Sequence, residues 1–194
     1  MLPLQFPDKY EESVDGVIEI IPFHTDFIQW MRFEELITDS TIPEDMLPIT
    51  ALRMIFPEKL PRDVHSAMLF MLWFYRCGKP VPADGEGHGS SVMLTSRRAY
   101  SYEHDFDYIA AAFMEKYGID LWTTHMHWWK FHALFMGLHD CRFTDICGYR
   151  TEDITEDTPE YKREFLEKMQ QAHRLPVSAN ELRRIEAARR YLEG

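Results

Sequence analysis

Six side chains of metal-ligating type fall close together in this chain: His125, His127, His132, His139, Cys141 and Cys147. Their spacing argues against one shared ion. Two histidines in a His-x-His pair on a helix point about 200° apart. His132 and His139, seven apart, share a helix face. His139, Cys141 and Cys147 lack the C-x₂-C spacing of structural zinc sites. Two readings follow. One is a small metal-binding protein or enzyme built on residues 125–147. The other has His127 as a satisfied histidine at the core boundary and the cysteines as small apolar residues. A nucleophilic role for Cys77 or Cys141 needs an electropositive, partly exposed setting. Only Arg76, beside Cys77, offers one. Glu103 and Asp105 flank His104 where a helix begins, and capping suits them better than acid–base chemistry. No Ser-His-Asp order, Walker motif, HExxH helix or CxxC pair is present. No catalytic residue, metal site or cofactor is assigned, and no enzymatic activity is expected.

The elements that would position these groups are mostly helices. Phe106, Ile109, Phe113 and Tyr117 lie near one face of a predicted helix from about Asp105 to Tyr117, with Gly118 placed for a left-handed C-cap. Trp128, Phe131, Leu134, Phe135 and Leu138 predict a second helix over about 125–138. Trp129 and Met136 make it apolar on another side too, which marks an enclosed helix. Upstream, Asp15-Gly16 between β-prone residues predicts a type I′ hairpin. Thr25 or Asp26 caps a helix to about Thr38. Prolines 43, 48, 57 and 61 divide the next segment: a start near Pro43, a break or a restart at Pro48 and a short helix over 49–56. Pro61 opens a helix over about 62–77, with Val64, Met68, Met71 or Leu72, and Tyr75 as its stripe and Gly78 as its end. Residues 142–148 add one or two helical turns. Pro159 starts a helix to about Ala172, with Tyr161, Phe165, Leu166 and Met169 on its apolar side. Ser178 to Glu181 forms a capping box for a last helix to Leu192.

The expected fold is therefore mainly α: a compact multi-helix domain of about seven helices with a small N-terminal β-hairpin. Residues 1–150 form the helical core domain, with a flexible Gly/Pro/Ser loop at 79–95. Residues 151–194, opening on the acidic TEDITEDT, form a C-terminal helical extension.

Hydrophobic residues make up 45% of the 194-residue chain and aromatics 14%, a globular composition. Net charge is −11, which disfavours nucleic acid and anionic membranes as partners. Three cysteines without framework spacing suit a reducing compartment. MLPLQFPDKY lacks the basic and apolar regions of a signal peptide, and no apolar run is long enough to span a membrane. Trp30, Trp73 and Trp129 are candidates for a partner groove, with core packing as the alternative. Arg183 and Arg184, with Arg189 and Arg190, form the one basic cluster. It is either a solvated face paired with nearby glutamates or a contact for an acidic partner.

Several segments together resemble the Gp15 family of bacteriophage proteins. They are Asp15-Gly16, Thr25-Asp26-Phe27, Phe74-Tyr75-Arg76-Cys77-Gly78-Lys79, and Arg98, Tyr100, Ser101, Glu103 and Asp105. Further on come Asp107-Tyr108-Ile109, Ala111-Ala112-Phe113, Tyr117-Gly118-Ile119-Asp120-Leu121 and His127-Trp128-Trp129-Lys130-Phe131. Ala133-Leu134-Phe135, Gly137-Leu138, Phe143 and Tyr149-Arg150 close the run. The resemblance implies a tail assembly chaperone of long-tailed phages. Such a protein would bind the tape measure protein, with tail tube subunits and a partner tail chaperone as further candidates. It would act in the host bacterial cytoplasm and be absent from the mature virion.

Overall fold

Asp15 and Gly16 turn the chain back on itself at φ 52° and 80°. Two successive positive φ values are what a type I′ turn needs, and Asp-Gly supplies them at little steric cost. The turn joins β1 (Lys9–Val14) to β2 (Val17–Pro22), which pair antiparallel with Val14 opposite Val17 and Lys9 opposite Pro22. A computed structural model describes residues 6–39, 41–79 and 98–176. Among these residues seven helices follow the hairpin: α1 (Phe27–Thr38), α2 (Leu47–Ile55), α3 (Val64–Tyr75), α4 (Tyr102–Tyr117), α5 (Trp128–Met136), α6 (Arg142–Thr151) and α7 (Glu160–Ala172). The fold is mainly α, as its apolar periodicity predicts. The helix expected over 178–192, with Arg183 and Arg184, lies outside the described residues, as does most of the 79–95 loop.

The chain divides into two compact units. Among the described residues, the first holds residues up to 79 together with 125–133, and the second holds 98–124 with 134–176. Helix α7 packs on α6, which itself runs across the boundary expected at residue 150.

In the first unit the hydrophobic core gathers Phe23, Phe27, Trp30, Phe33, Leu52, Ile55, Phe56, Met71, Phe74, Trp128 and Phe131. Helix α1 starts where Asp26 accepts the Ile28 N–H at 3.0 Å. Pro48 marks a restart and not a break. It sits in the first turn of α2, where a missing N–H costs nothing. Helix α3 starts at Val64 rather than at Arg62, because the Asp63 carboxylate caps the Ser66 N–H at 3.1 Å. Its buried stripe is Ala67, Met71 and Phe74, and Val64 is exposed. Of the expected stripe, Met71 is buried and Met68, Leu72 and Tyr75 are half-buried; on a helix that is apolar almost all round, full burial is shifted toward Ala67 and Phe74.

The second unit is built on α4, α6 and α7. Ser101 caps α4, and Gly118 ends it at φ 64°. Its core contains Tyr102, Ile109, Phe113, Phe135, Leu138, Phe143, Ile146 and Leu166. Helix α6 starts at Arg142 as expected, on a capping box of Cys141 and Thr144, and runs past the expected end at 148 to Thr151. Of the apolar side expected on α7, only Leu166 is buried, while Tyr161 and Phe165 face solvent.

Candidate partner surface

The end of α3 and the start of α5 are built together. A helix leaves its last carbonyls without intrahelical partners. At α3 the Phe74 carbonyl accepts the Trp129 indole N–H at 2.8 Å, and the Tyr75 carbonyl accepts the Trp128 indole N–H at 2.8 Å. Two adjacent tryptophans thus cap two adjacent carbonyls. The Trp128 ring stacks on Tyr75 at 5.6 Å and on Phe131 at 5.8 Å and is 1% exposed. Helix α5 begins at Trp128, later than predicted, because residues 125–127 run extended against the start of α1. There the Phe27 N–H bonds the Met126 carbonyl at 2.9 Å and the Trp128 N–H bonds the Thr25 carbonyl at 2.7 Å.

Trp129 lies on the surface side of this junction. Its ring meets Trp73 at 5.5 Å, and Trp73 in turn meets Phe70 at 5.8 Å. Leu69, one helical turn before Trp73, is 52% exposed, Trp73 is 37% exposed, and Trp129 is half-buried. Phe6 adds its ring edge to Trp129 at 6.3 Å. Leu69, Trp73 and Trp129 form an apolar platform at this surface, with Phe6 at its edge. The platform rests on Gly78, which has φ 78°. A Cβ there would stand 3.0 Å from the Trp129 ring and 3.6 Å from that of Trp73. Gly78→Ala should cost about 1–2 kcal/mol from the left-handed backbone alone, and more if Trp129 must move. Chemical denaturation of the variant checks this; an unchanged midpoint would mean that Gly78 is not a strained position.

Trp73 and Trp129, predicted separately as partner residues, are therefore neighbours. Trp30 is not available with them. It is 0% exposed, its indole N–H bonds the His24 carbonyl at 2.7 Å, and its ring packs on Phe74 at 4.6 Å. It takes the core alternative. Leu69, Phe6 and Gly78 carry no sequence signal for this role beyond the Leu69/Trp73 spacing of four.

The His/Cys residues are dispersed. His125 is exposed beside Asp26, with Nδ1 3.4 Å from its carboxylate. His127 accepts the Trp129 N–H at Nδ1, 3.1 Å, and lies 3.1 Å from the Pro7 carbonyl at Nε2. His132 sits edge-on to Trp128 at 5.6 Å. His139 bonds its own turn at the Gly137 carbonyl, 2.8 Å away. Cys141 is the N-cap of α6. Among the described residues no group of three or more His, Cys, Asp or Glu could hold a metal ion. Burial pushes the Cys77 thiol up to about 11, and that of Cys147 likewise to about 11. Both stay protonated at neutral pH, the opposite of an activated nucleophile.

Burial also lowers the proton affinity of His127, His132 and His173 below the ordinary histidine value of 6.5. Above that value folded and unfolded forms are both neutral there, and stability does not change. Below it the unfolded chain takes up protons that the folded chain refuses, so stability falls with falling pH. The denaturant midpoint should be flat from about pH 7 to 8 and decline toward about pH 5.5, before most carboxylates titrate. Equal midpoints at the two ends of that range would contradict these assignments.

Glu103 is exposed in the first turn of α4. Asp105 is not. It is 1% exposed, and its Oδ2 accepts the Ser101 N–H at 2.9 Å, so it does help to cap the helix. Its main partner is Arg150, whose guanidinium donates to both carboxylate oxygens at 2.6 and 2.8 Å. Arg150 also donates to the Ala99 carbonyl at 3.0 Å and the His173 carbonyl at 2.6 Å. This buried fork ties the segment before α4 to the ends of α6 and α7, and sequence spacing alone gives no sign of it.

No helix among the described residues is long and apolar enough to cross a membrane. No curated protein and no solved structure matches the chain. Many segments that carried the resemblance meet at the sites above: Thr25-Asp26-Phe27 against His127-Trp128, Phe74-Tyr75 and Gly78 against Trp128-Trp129, and Asp105 against Arg150. The model of the family described as Bacteriophage Gp15 protein matches residues 9–175, and the chain belongs to that family.

Proposed function

We propose that this chain is a phage tail assembly chaperone that binds the tape measure protein during tail morphogenesis. Membership of the bacteriophage Gp15 family is the observation that carries this reading. On it, tail tube subunits and a second tail chaperone are further partners, the work is done in the host cytoplasm, and the protein is absent from the finished virion. No catalytic step is needed.

The surface chemistry supports the same reading. A tape measure is a long, largely helical chain whose apolar stripes need shielding before assembly. The platform of Leu69, Trp73 and Trp129 offers large, rigid anchors for one such stripe, in the manner of a helix docking on an apolar surface. A net charge of −11 keeps the loaded chaperone soluble.

The test is co-expression with the tape measure protein of the same phage, followed by affinity purification. A soluble, co-purifying tape measure supports the reading. Leu69→Ser with Trp73→Ala should then abolish capture while the circular dichroism spectrum stays unchanged. A tape measure that stays insoluble, with nothing bound, overturns the chaperone reading. Capture that survives the double variant moves the contact away from the platform.

A further inference from the structure

The His127 ring is engaged at both nitrogens. Nδ1 faces the Trp129 N–H at 3.1 Å, in the first turn of α5, and that group can only donate. Nδ1 must therefore present a lone pair. The ring proton then sits on Nε2, where it is donated to the Pro7 carbonyl at 3.1 Å. One neutral tautomer satisfies both contacts. Phe6 lies flat on the imidazole, with centroids 4.6 Å apart and planes at 15°, and its edge meets Trp129. Phe6 and Pro7 are thus laid along the flank of the platform by a histidine that also caps α5.

We infer that Phe6–Pro7 is a strap over Trp129, latched by neutral His127 and released from the platform when His127 is protonated. A proton on Nδ1 would point at the Trp129 N–H, and the positive end of α5 repels an imidazolium at its cap. The ring must then leave the cap. The Pro7 bond and the Phe6 stack hold the strap to the ring, so the strap leaves with it and the Trp129 face is uncovered. The other groups around the ring set the balance. Burial opposes the proton most strongly, while the Pro7 carbonyl and then Asp8, beside the strap, favour it. Asp26, bridged to His127, has Oδ2 engaged with the Met126 N–H at 3.3 Å and close to His125. Helix α3 presents only the uncharged Phe74 ring, at 5.3 Å. The device is a property of this chain alone and goes beyond any choice of partner.

Nuclear magnetic resonance on the full chain tests it. Near neutral pH the Phe6 ring should show cross-relaxation to the Trp129 ring, and His127 should be the Nε2–H tautomer. On acidification both the Phe6–Trp129 signal and the protection of the Trp129 amide should be lost together with the titration of His127. The loss of protection should be at least tenfold beyond the intrinsic pH dependence of exchange. In His127→Asn the amide side-chain oxygen caps α5 without titrating, so Trp129 protection should not change with pH. Persistence of the Phe6–Trp129 signal in wild-type protein with His127 charged would overturn the latch. So would an identical pH profile in His127→Asn. The wild-type titration decides the question even if that variant fails to fold.

Discussion

Trp128→Ala lowers the unfolding free energy by about 3–5 kcal/mol, the range for deleting a fully buried tryptophan. The ring fills the space between Tyr75 and Phe131, and no small side chain replaces either stack. The indole N–H also donates to the Tyr75 carbonyl, so truncation removes a hydrogen bond at the end of α3. Trp128→Phe separates the two effects. It keeps most of the ring and loses only the donor, and should cost about 1–3 kcal/mol. Urea denaturation measures both. A shift below about 1 kcal/mol for the alanine variant would mean the ring is a solvent-facing contact and not a core residue.

Asp105→Ala should be of similar size. Breaking a buried ion pair at one partner costs about 3–5 kcal/mol, because the other charge stays buried without compensation. Here the stranded group is the Arg150 guanidinium, 8% exposed, which would keep only its bonds to the Ala99 and His173 carbonyls. The Ser101 N–H loses its acceptor as well. Replacing both partners, Asp105→Leu with Arg150→Met, removes the uncompensated charge. The double variant should be less destabilised than the sum of the single changes, and the shortfall measures their coupling. Strict additivity would show that the fork carries no interaction energy of its own.

Much of the secondary structure is legible in local chemistry. Asp15-Gly16, Asp26, Gly118 and Pro159 each act where their backbone preferences place them. The faces of the helices are less legible. In α3 nearly every residue is apolar, so the expected stripe includes Met71, which is buried, but leaves out Ala67 and Phe74, which are buried as well. Trp30 and Trp129 look alike in sequence, yet one is enclosed on all sides and the other borders solvent. The long-range polar contacts are not legible at all. Asp105 reads as a helix-start acid, and its pairing with a residue 45 positions away depends on how α4 and α6 pack. The same holds for His127, whose role as a cap follows from the extended run of residues 125–127.

The two indole bonds at the end of α3 also set a clock. Their donors lie 53 and 55 residues further along the chain than the carbonyls they satisfy. At a synthesis rate of about 5–20 residues per second, a ribosome needs roughly 3–11 seconds to deliver them. During that interval the last turn of α3 has only its local caps, such as the Cys77 N–H on the Phe74 carbonyl at 2.9 Å and the Gly78 N–H on the Trp73 carbonyl at 3.0 Å, and Trp73 and Phe74 are without the Trp129 ring that later flanks them. A nascent chain halted before residue 128 should accordingly be cut by protease near Tyr75, and one halted well beyond residue 136 should resist.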